Sequence, residues 1–307
     1  AQRMTEVERS RTYHERYGDE WPFDSPYNYH DPRDIARKEA DLLAMTDMHK
    51  RYNAWVRFSQ ELLTPNMTKK GVQVEELPRE VARKLYKFLH DGMERGKVHR
   101  EKASEKNTSI IACGMSDSGE LVYPSLLDMP KWFRHEIAEA LQPIHEQWCN
   151  CKLKYAAFYG VRVYHDGCTL ACHLDRVETH VVSSVIHIAD DILEPWPIEI
   201  KDHFGRFQAV NLAAGEMLHY ESAKLVHCRG TKLNGSWHAN AYIHYTPVDW
   251  QQTRNETQIS VAPFWQYKGA PLNGSQTDND AFAMLNGTSP GSPEREQMIV
   301  DIVRRQR

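Results

Sequence analysis

Near Leu153 the apolar residues of this chain change their period, and that change limits the folds open to it. Upstream, Ile35, Leu42, Met45, Met48, Tyr52, Trp55, Phe58 and Leu62 recur at helical spacing, which predicts one long amphipathic helix ended near Pro65. A second helix is predicted from about Pro78 through Val81, Leu85, Phe88 and Leu89, and a third over about Lys131 to Trp148. Downstream the period is two. Tyr155–His165, Val181–Ala189, Ile198–Ile200, Gln208–Asn211, Met217–Tyr220 and Trp237–Tyr245 read as short strands between Gly, Asp and Pro turns. Helices followed by mostly antiparallel strands predict an α+β fold: a curved sheet or barrel closed on itself and propped from outside by helices.

Four regions follow. Residues 1–32, broken by Trp21-Pro22 and Ser25-Pro26, read as an extended arm; 33–152 as a helical support; 153–250 as the β core; and 251–307 as an extension. Within the extension only Val261–Tyr267 has packing residues, and 270–295 reads as a loose tail. No apolar run approaches the roughly 18 residues of a membrane span. A net charge of −4 leaves no basic footprint, so nucleic acid is not expected as a main partner.

The six cysteines lack zinc-knuckle spacing and are expected as buried thiols or one or two disulfides. Asn-x-Ser/Thr occurs at Asn66, Asn107, Asn234, Asn255, Asn273 and Asn286. Three of these are also Asn-Gly turn dipeptides, but six acceptors point to a glycoprotein of the secretory pathway, secreted or in the ER lumen, with the cytoplasm as the alternative.

Chemistry concentrates at His173-Leu174-Asp175 and His227. Two imidazoles and a carboxylate suit ferrous iron, and such a facial set leaves coordination positions open. If His173 and Asp175 share a strand, residues two apart face the same side, and the distant His227 must come from a neighbouring strand. Among 16 histidines one such triplet is weak evidence alone. Its surroundings add to it: Arg162-Val-Tyr164, Gly167, Asp175-Arg176, Gly215-Glu216-Met217, His227-Cys-Arg229, Gly235-Ser236-Trp237, Asn240 and His244.

Together these residues, over about 155–247, resemble the iron(II)- and 2-oxoglutarate-dependent dioxygenases, and within them the prolyl 4-hydroxylase-like branch. The resemblance implies a double-stranded β-helix, or jelly roll, buttressed by the N-terminal helices. It implies Fe(II) held by His173, Asp175 and His227, with 2-oxoglutarate and dioxygen as co-substrates, ascorbate as a further cofactor, and Tyr164 bonded to 2-oxoglutarate. One feature departs from the family. Where a Lys or Arg normally follows the distal histidine to pair with the far carboxylate, this chain has Ser236 and Trp237.

A buried dianion needs positive charge or donors. Arg229, Lys232, His238 and Arg162 are the candidates. Alternation places Ser236, His238, Asn240, Tyr242 and His244 on one face of the last strand; if that face is inward, His238 binds the carboxylate with Ser236 and Arg229 assisting. Its alternative is a solvated edge face. Lys232 reads as a loop residue, and Trp196 as a packed aromatic. Arg176 is a partner of the site or a substrate contact, and Glu221 is a candidate to orient His227. His180, His187, His203 and His219 read as core or surface histidines.

The resemblance implies a non-haem iron dioxygenase that couples oxidative decarboxylation of 2-oxoglutarate to C–H hydroxylation. The implied substrate is a peptidyl proline in a protein or peptide; a free amino acid or other small molecule is the alternative. Two rival readings are a jelly-roll binding module without activity, favoured by the missing cation, and a metal enzyme using the triad without 2-oxoglutarate.

Overall fold

The computed structural model describes residues 31–46, 48–101, 111–114 and 122–252. The arm before Asp31 and everything after Gln252, including Val261–Tyr267 and 270–295, lie outside the described residues.

Helix α1 (Pro32–Ala44) starts where the Asp31 side chain accepts from the Arg33 N–H and Pro32 presets the first turn. Met45 then turns to extended backbone, with ψ 127°, and a separate helix α2 (Met48–Leu63) follows. The single long helix expected from the periodicity is therefore two. Its apolar stripe is continuous in sequence, but one residue off helical ψ breaks the hydrogen-bond ladder, and Thr46 and Asp47 are residue types that favour a fresh helix start.

Helices α3 (Arg79–Glu94) and α4 (Lys131–Cys149) form as expected, and α4 ends on Asn150 in the left-handed region. Their stripes, Val81, Leu85 and Leu89 on one and Phe133, Ile137 and Leu141 on the other, are buried in the largest apolar cluster of the fold. Each such side chain contributes about 1.5–3 kcal/mol by leaving water.

Twelve strands are assigned among the described residues: β1 (Val72–Glu76), β2 (His99–Arg100), β3 (Ile111–Ala112), β4 (Ser125–Leu127), β5 (Leu153–His165), β6 (Thr169–His173), β7 (Val182–Ile192), β8 (Ile198–Lys201), β9 (Phe207–Val210), β10 (Glu216–Tyr220), β11 (His227–Arg229) and β12 (Gly235–Pro247). They make a seven-stranded sheet, β1-β10-β7-β12-β5-β4-β2, and a five-stranded sheet, β3-β6-β11-β8-β9, paired antiparallel throughout. Strand β1, inside the segment read as helical support, thus extends the larger sheet.

The two sheets face each other. Val185, Leu218 and Tyr220 of one pack with Ile198 and Ile200 of the other, and Tyr164 packs with Ile111 and Leu170. The architecture is a double-stranded β-helix with α3 and α4 on the outer face of the larger sheet. Alternation along β12 shows both layers: Ala239, Ala241, Ile243 and Tyr245 join the helix-facing core. His238, Asn240, Tyr242 and His244 take the other face, toward the second sheet: His238 meets Trp196, Tyr242 packs with Ile198, Ile200 and Leu170, and His244 lies 4.0 Å from Asp175.

Two glycines are required by close approach. At Gly160 in β5 (φ 129°) a Cβ would sit 2.7 Å from the Leu127 carbonyl, and at Gly235 (φ 147°) it would sit 2.5 Å from the Ile192 Cα. No described helix is long and apolar enough to cross a membrane.

All six cysteines are paired, as Cys113–Cys168, Cys149–Cys151 and Cys172–Cys228. The expectation of one or two disulfides is corrected to three. Of the six Asn-x-Ser/Thr sites, Asn66 and Asn234 are described, and Asn234 is exposed.

Candidate metal centre

Strands β6 and β11 pair so that His173 stands directly opposite His227. Their rings lie 4.3 Å apart between centroids, and the Asp175 carboxylate is 3.5 Å from His173 Nε2. One ligand atom from each of the three lies within 4.8 Å of the others. Asp175 reaches the cluster by a route different from the strand period. It lies past the end of β6, where its N–H donates to the Ser222 carbonyl and its own carbonyl accepts from Gln60 Nε2 at 2.8 Å. A second bond from Gln60 Nε2 to the Ala223 carbonyl ties helix α2 to both loops.

Backbone geometry sets the tautomers. His173 Nδ1 donates to the Ala171 carbonyl and His227 Nδ1 to the Leu225 carbonyl, each at 2.8 Å. Both Nε2 lone pairs are therefore bare and turned toward Asp175, the arrangement metal-binding imidazoles use. Burial raises the Asp175 carboxyl, but its imidazole neighbours His173, His227 and His244 outweigh it and hold the group well below the ordinary carboxylate range. Burial, with the neighbouring His173, pushes His227 down to about 4, so the imidazole is neutral at pH 7. Two imidazoles that keep Nε2 clear of the backbone and one carboxylate fit a divalent transition ion.

The rest of the interior is a cluster of hydroxyls and one cation. Tyr164, fully buried on β5, shares a 2.9 Å hydrogen bond with Tyr242 on β12. Tyr220 packs edge-on against His227 at 4.8 Å. Arg229 ends β11 two residues beyond His227 on the same face, about 7 Å further along the strand. It is 2% exposed, its guanidinium lies 4.4 Å over the Trp196 ring, and one of its nitrogens donates to the Trp196 carbonyl. Its Nε has no hydrogen-bond partner. Arg162 is paired in fork geometry with Glu101 at 2.7 and 2.8 Å.

The other sequence-derived candidates fall as follows. Ser236 is exposed at the start of β12, and Lys232 is exposed in the preceding loop. His238 is buried and stacks against His187 and Trp196, with its nearest carboxylate Asp190. Trp196 is packed, as expected, and Arg176 is exposed. Glu221 does not orient His227. It accepts from Thr68 and the Met67 N–H and pairs with His203 at 3.0 Å, while the Leu225 carbonyl takes the His227 proton.

Sequence reasoning missed Gln60 and Tyr220. A signal for Gln60 existed: Ser59, Gln60 and Glu61 interrupt an otherwise apolar helix face, and all three are buried. Tyr220 looked like one more aromatic in a strand.

The double-stranded β-helix and the two-histidine, one-carboxylate triad between its sheets are the arrangement that the sequence resemblance implied. No family sequence model matches the chain, and no curated protein matches it in sequence. Among solved structures the chain is similar to a prolyl-4-hydroxylase from Pseudomonas putida, with 12% identity and a TM-score of 0.41 over 61% of this chain and 98% of that one. It is similar also to a Trichoplax adhaerens prolyl hydroxylase in complex with a hypoxia inducible factor peptide fragment, with 9% identity and a TM-score of 0.40 over 69% and 100% of the two chains. HygX from Streptomyces hygroscopicus, with nickel and 2-oxoglutarate bound, matches with 11% identity and a TM-score of 0.39 over 59% and 85%.

Proposed function

We propose that this protein is a non-haem Fe(II) dioxygenase that couples oxidative decarboxylation of 2-oxoglutarate to hydroxylation of a substrate C–H bond, with a peptidyl proline as substrate. The observation that carries the reading is the triad: His173, Asp175 and His227 converge with both Nε2 atoms bare. When bound, the iron supplies the dioxygen chemistry; the chain supplies binding, orientation and exclusion of water.

For the missing cation, Arg229 is the replacement. It lies on the triad's own strand, buried among Tyr164, Tyr220 and Tyr242, with an unpartnered Nε, which suits the far carboxylate of 2-oxoglutarate. Tyr164 and Tyr242, joined by their shared hydrogen bond, leave one hydroxyl proton to donate alongside it. An anion there pairs with a buried guanidinium whose Nε lacks a partner, which favours a dianion over a neutral ligand.

Support for a proline ring comes from the triad's open side. Tyr159, 52% exposed, donates or accepts at His180 Nε2 (3.1 Å), and His180 stacks at 3.8 Å on His244, whose Nδ1 is 4.0 Å from Asp175. An aromatic rim beside the triad suits a compact, weakly polar ring such as pyrrolidine. The three disulfides support an oxidising, secretory compartment.

The test is turnover of a proline-rich peptide with Fe(II), 2-oxoglutarate, ascorbate and air. Mass spectrometry should show gain of one oxygen on proline, matched by succinate. Turnover of free proline alone would overturn the peptide assignment, and no succinate with any substrate would overturn the reaction class.

A further inference from the structure

We propose that the chain carries a second metal site, for a zinc-like divalent ion, formed by His187 and Asp190 of β7 and His238 of β12. One ligand atom from each of the three lies within 4.8 Å of the others. His187 Nε2 is 2.6 Å and His238 Nδ1 3.7 Å from the same Asp190 oxygen. The site lies six residues along β12 from His244, which neighbours the triad, so about 20 Å of strand separates the two.

Backbone irregularity builds it. In a regular strand residues three apart point to opposite faces, and His187 and Asp190 would part. The pairing of β7 with β12 slips between Ala239 and Asn240: Ala239 stands opposite Ala189 but Asn240 opposite His187, so Ile188 is the extra residue of a bulge. The bulge turns Asp190 onto the face of His187 and directly opposite His238.

The donor set suits a cation: two imidazoles converge on one carboxylate oxygen. His187 Nδ1 lies 3.3 Å from Asn240 Oδ1, so a proton on Nδ1 leaves the Nε2 lone pair facing a carboxylate oxygen. His238 is 4% exposed, and neither of its ring nitrogens has a hydrogen-bond partner. A divalent ion takes one nitrogen of His187, one of His238 and the Asp190 carboxylate at once. Asp190, with 30% of its side chain exposed, provides the route in from solvent. The two rings stack 4.3 Å apart within 10°, so ligation turns one of them out of the stack.

The experiment counts ions. Full-length protein stripped with chelator is equilibrated with Co(II), and bound cobalt per chain is measured for wild type, His238→Leu, Asp190→Asn and the double variant Asp175→Ala with His227→Ala. The expected counts are two, one, one and one. Asp190→Asn serves if His238→Leu misfolds, since Asp190 lies at the surface. A wild-type count that neither His238→Leu nor Asp190→Asn lowers overturns the second site. A double variant that keeps both ions overturns the triad and leaves the second site standing.

Discussion

Replacing Gln60 with leucine should loosen the metal centre without touching a ligand. Gln60 is 5% exposed, and its Nε2 donates to the carbonyls of Asp175 and Ala223 at 2.8 and 2.7 Å. Leucine fills similar volume and removes both bonds, leaving two carbonyls short of a donor at about 1–3 kcal/mol each. Burial of the new apolar groups returns about 1 kcal/mol, for a net loss of about 1–5 kcal/mol in unfolding free energy. The carbonyl released is that of a metal ligand, so the Asp175 carboxylate loses its fixed position. Removing such supports costs about 10–100-fold in metal affinity, or about 1.4–2.8 kcal/mol.

Two assays separate the effects. Urea unfolding of the metal-free proteins reads the first, and Mn(II) titration of the folded proteins reads the second. Saturating metal should also stabilise the variant less than wild type, by about 1.4 kcal/mol per tenfold loss of affinity. A folded Gln60→Leu protein with wild-type Mn(II) affinity would refute the role assigned to helix α2.

Other outcomes follow from the same structure. Arg229→Met should weaken 2-oxoglutarate binding by about 30- to 1,000-fold in equilibrium titration, the cost of orphaning a buried charge, and leave Mn(II) affinity near wild type; an unchanged 2-oxoglutarate affinity would remove Arg229 as anchor. Burial holds His145 down to about 4 against an ordinary 6.5. The unfolded chain therefore binds the extra proton, and this contribution is full above about pH 6.5 and lost as pH falls through 4, about 3 kcal/mol in all. His145→Gln should flatten that much of the acid loss of stability in urea melts at about pH 7 and pH 4. Cys172→Ser with Cys228→Ser opens a link of separation 56 and should lower stability by about 4 kcal/mol in chain-entropy terms. Because those cysteines adjoin His173 and His227, Mn(II) affinity should fall with it.

The triad was legible because its signal is local: His173-Leu-Asp175 in one place, His227 at a strand start, and period-two strands between. Alternation put His238, Asn240, Tyr242 and His244 on one face but left open whether that face was inward or solvated, and Tyr164 came from the family resemblance. Three things were not legible. Strand β1 and the three-residue β11 are too short for periodicity to register. Bulges are invisible in a single sequence, yet the β6 bulge brings Leu170 and His173 to one face, and the β7 bulge brings His187 and Asp190 together. Contacts such as Gln60 to Asp175, 115 residues apart, depend on how helices dock and leave only an out-of-place polar residue as a trace.

The most direct test of the metal centre is anaerobic addition of Fe(II) and then 2-oxoglutarate, followed in the visible spectrum. A weak charge-transfer band should appear with wild type at one equivalent of each and be absent from Asp175→Ala and His227→Ala. A band of equal strength in either variant, or none in wild type, would contradict the assignment of the triad as the iron and 2-oxoglutarate site.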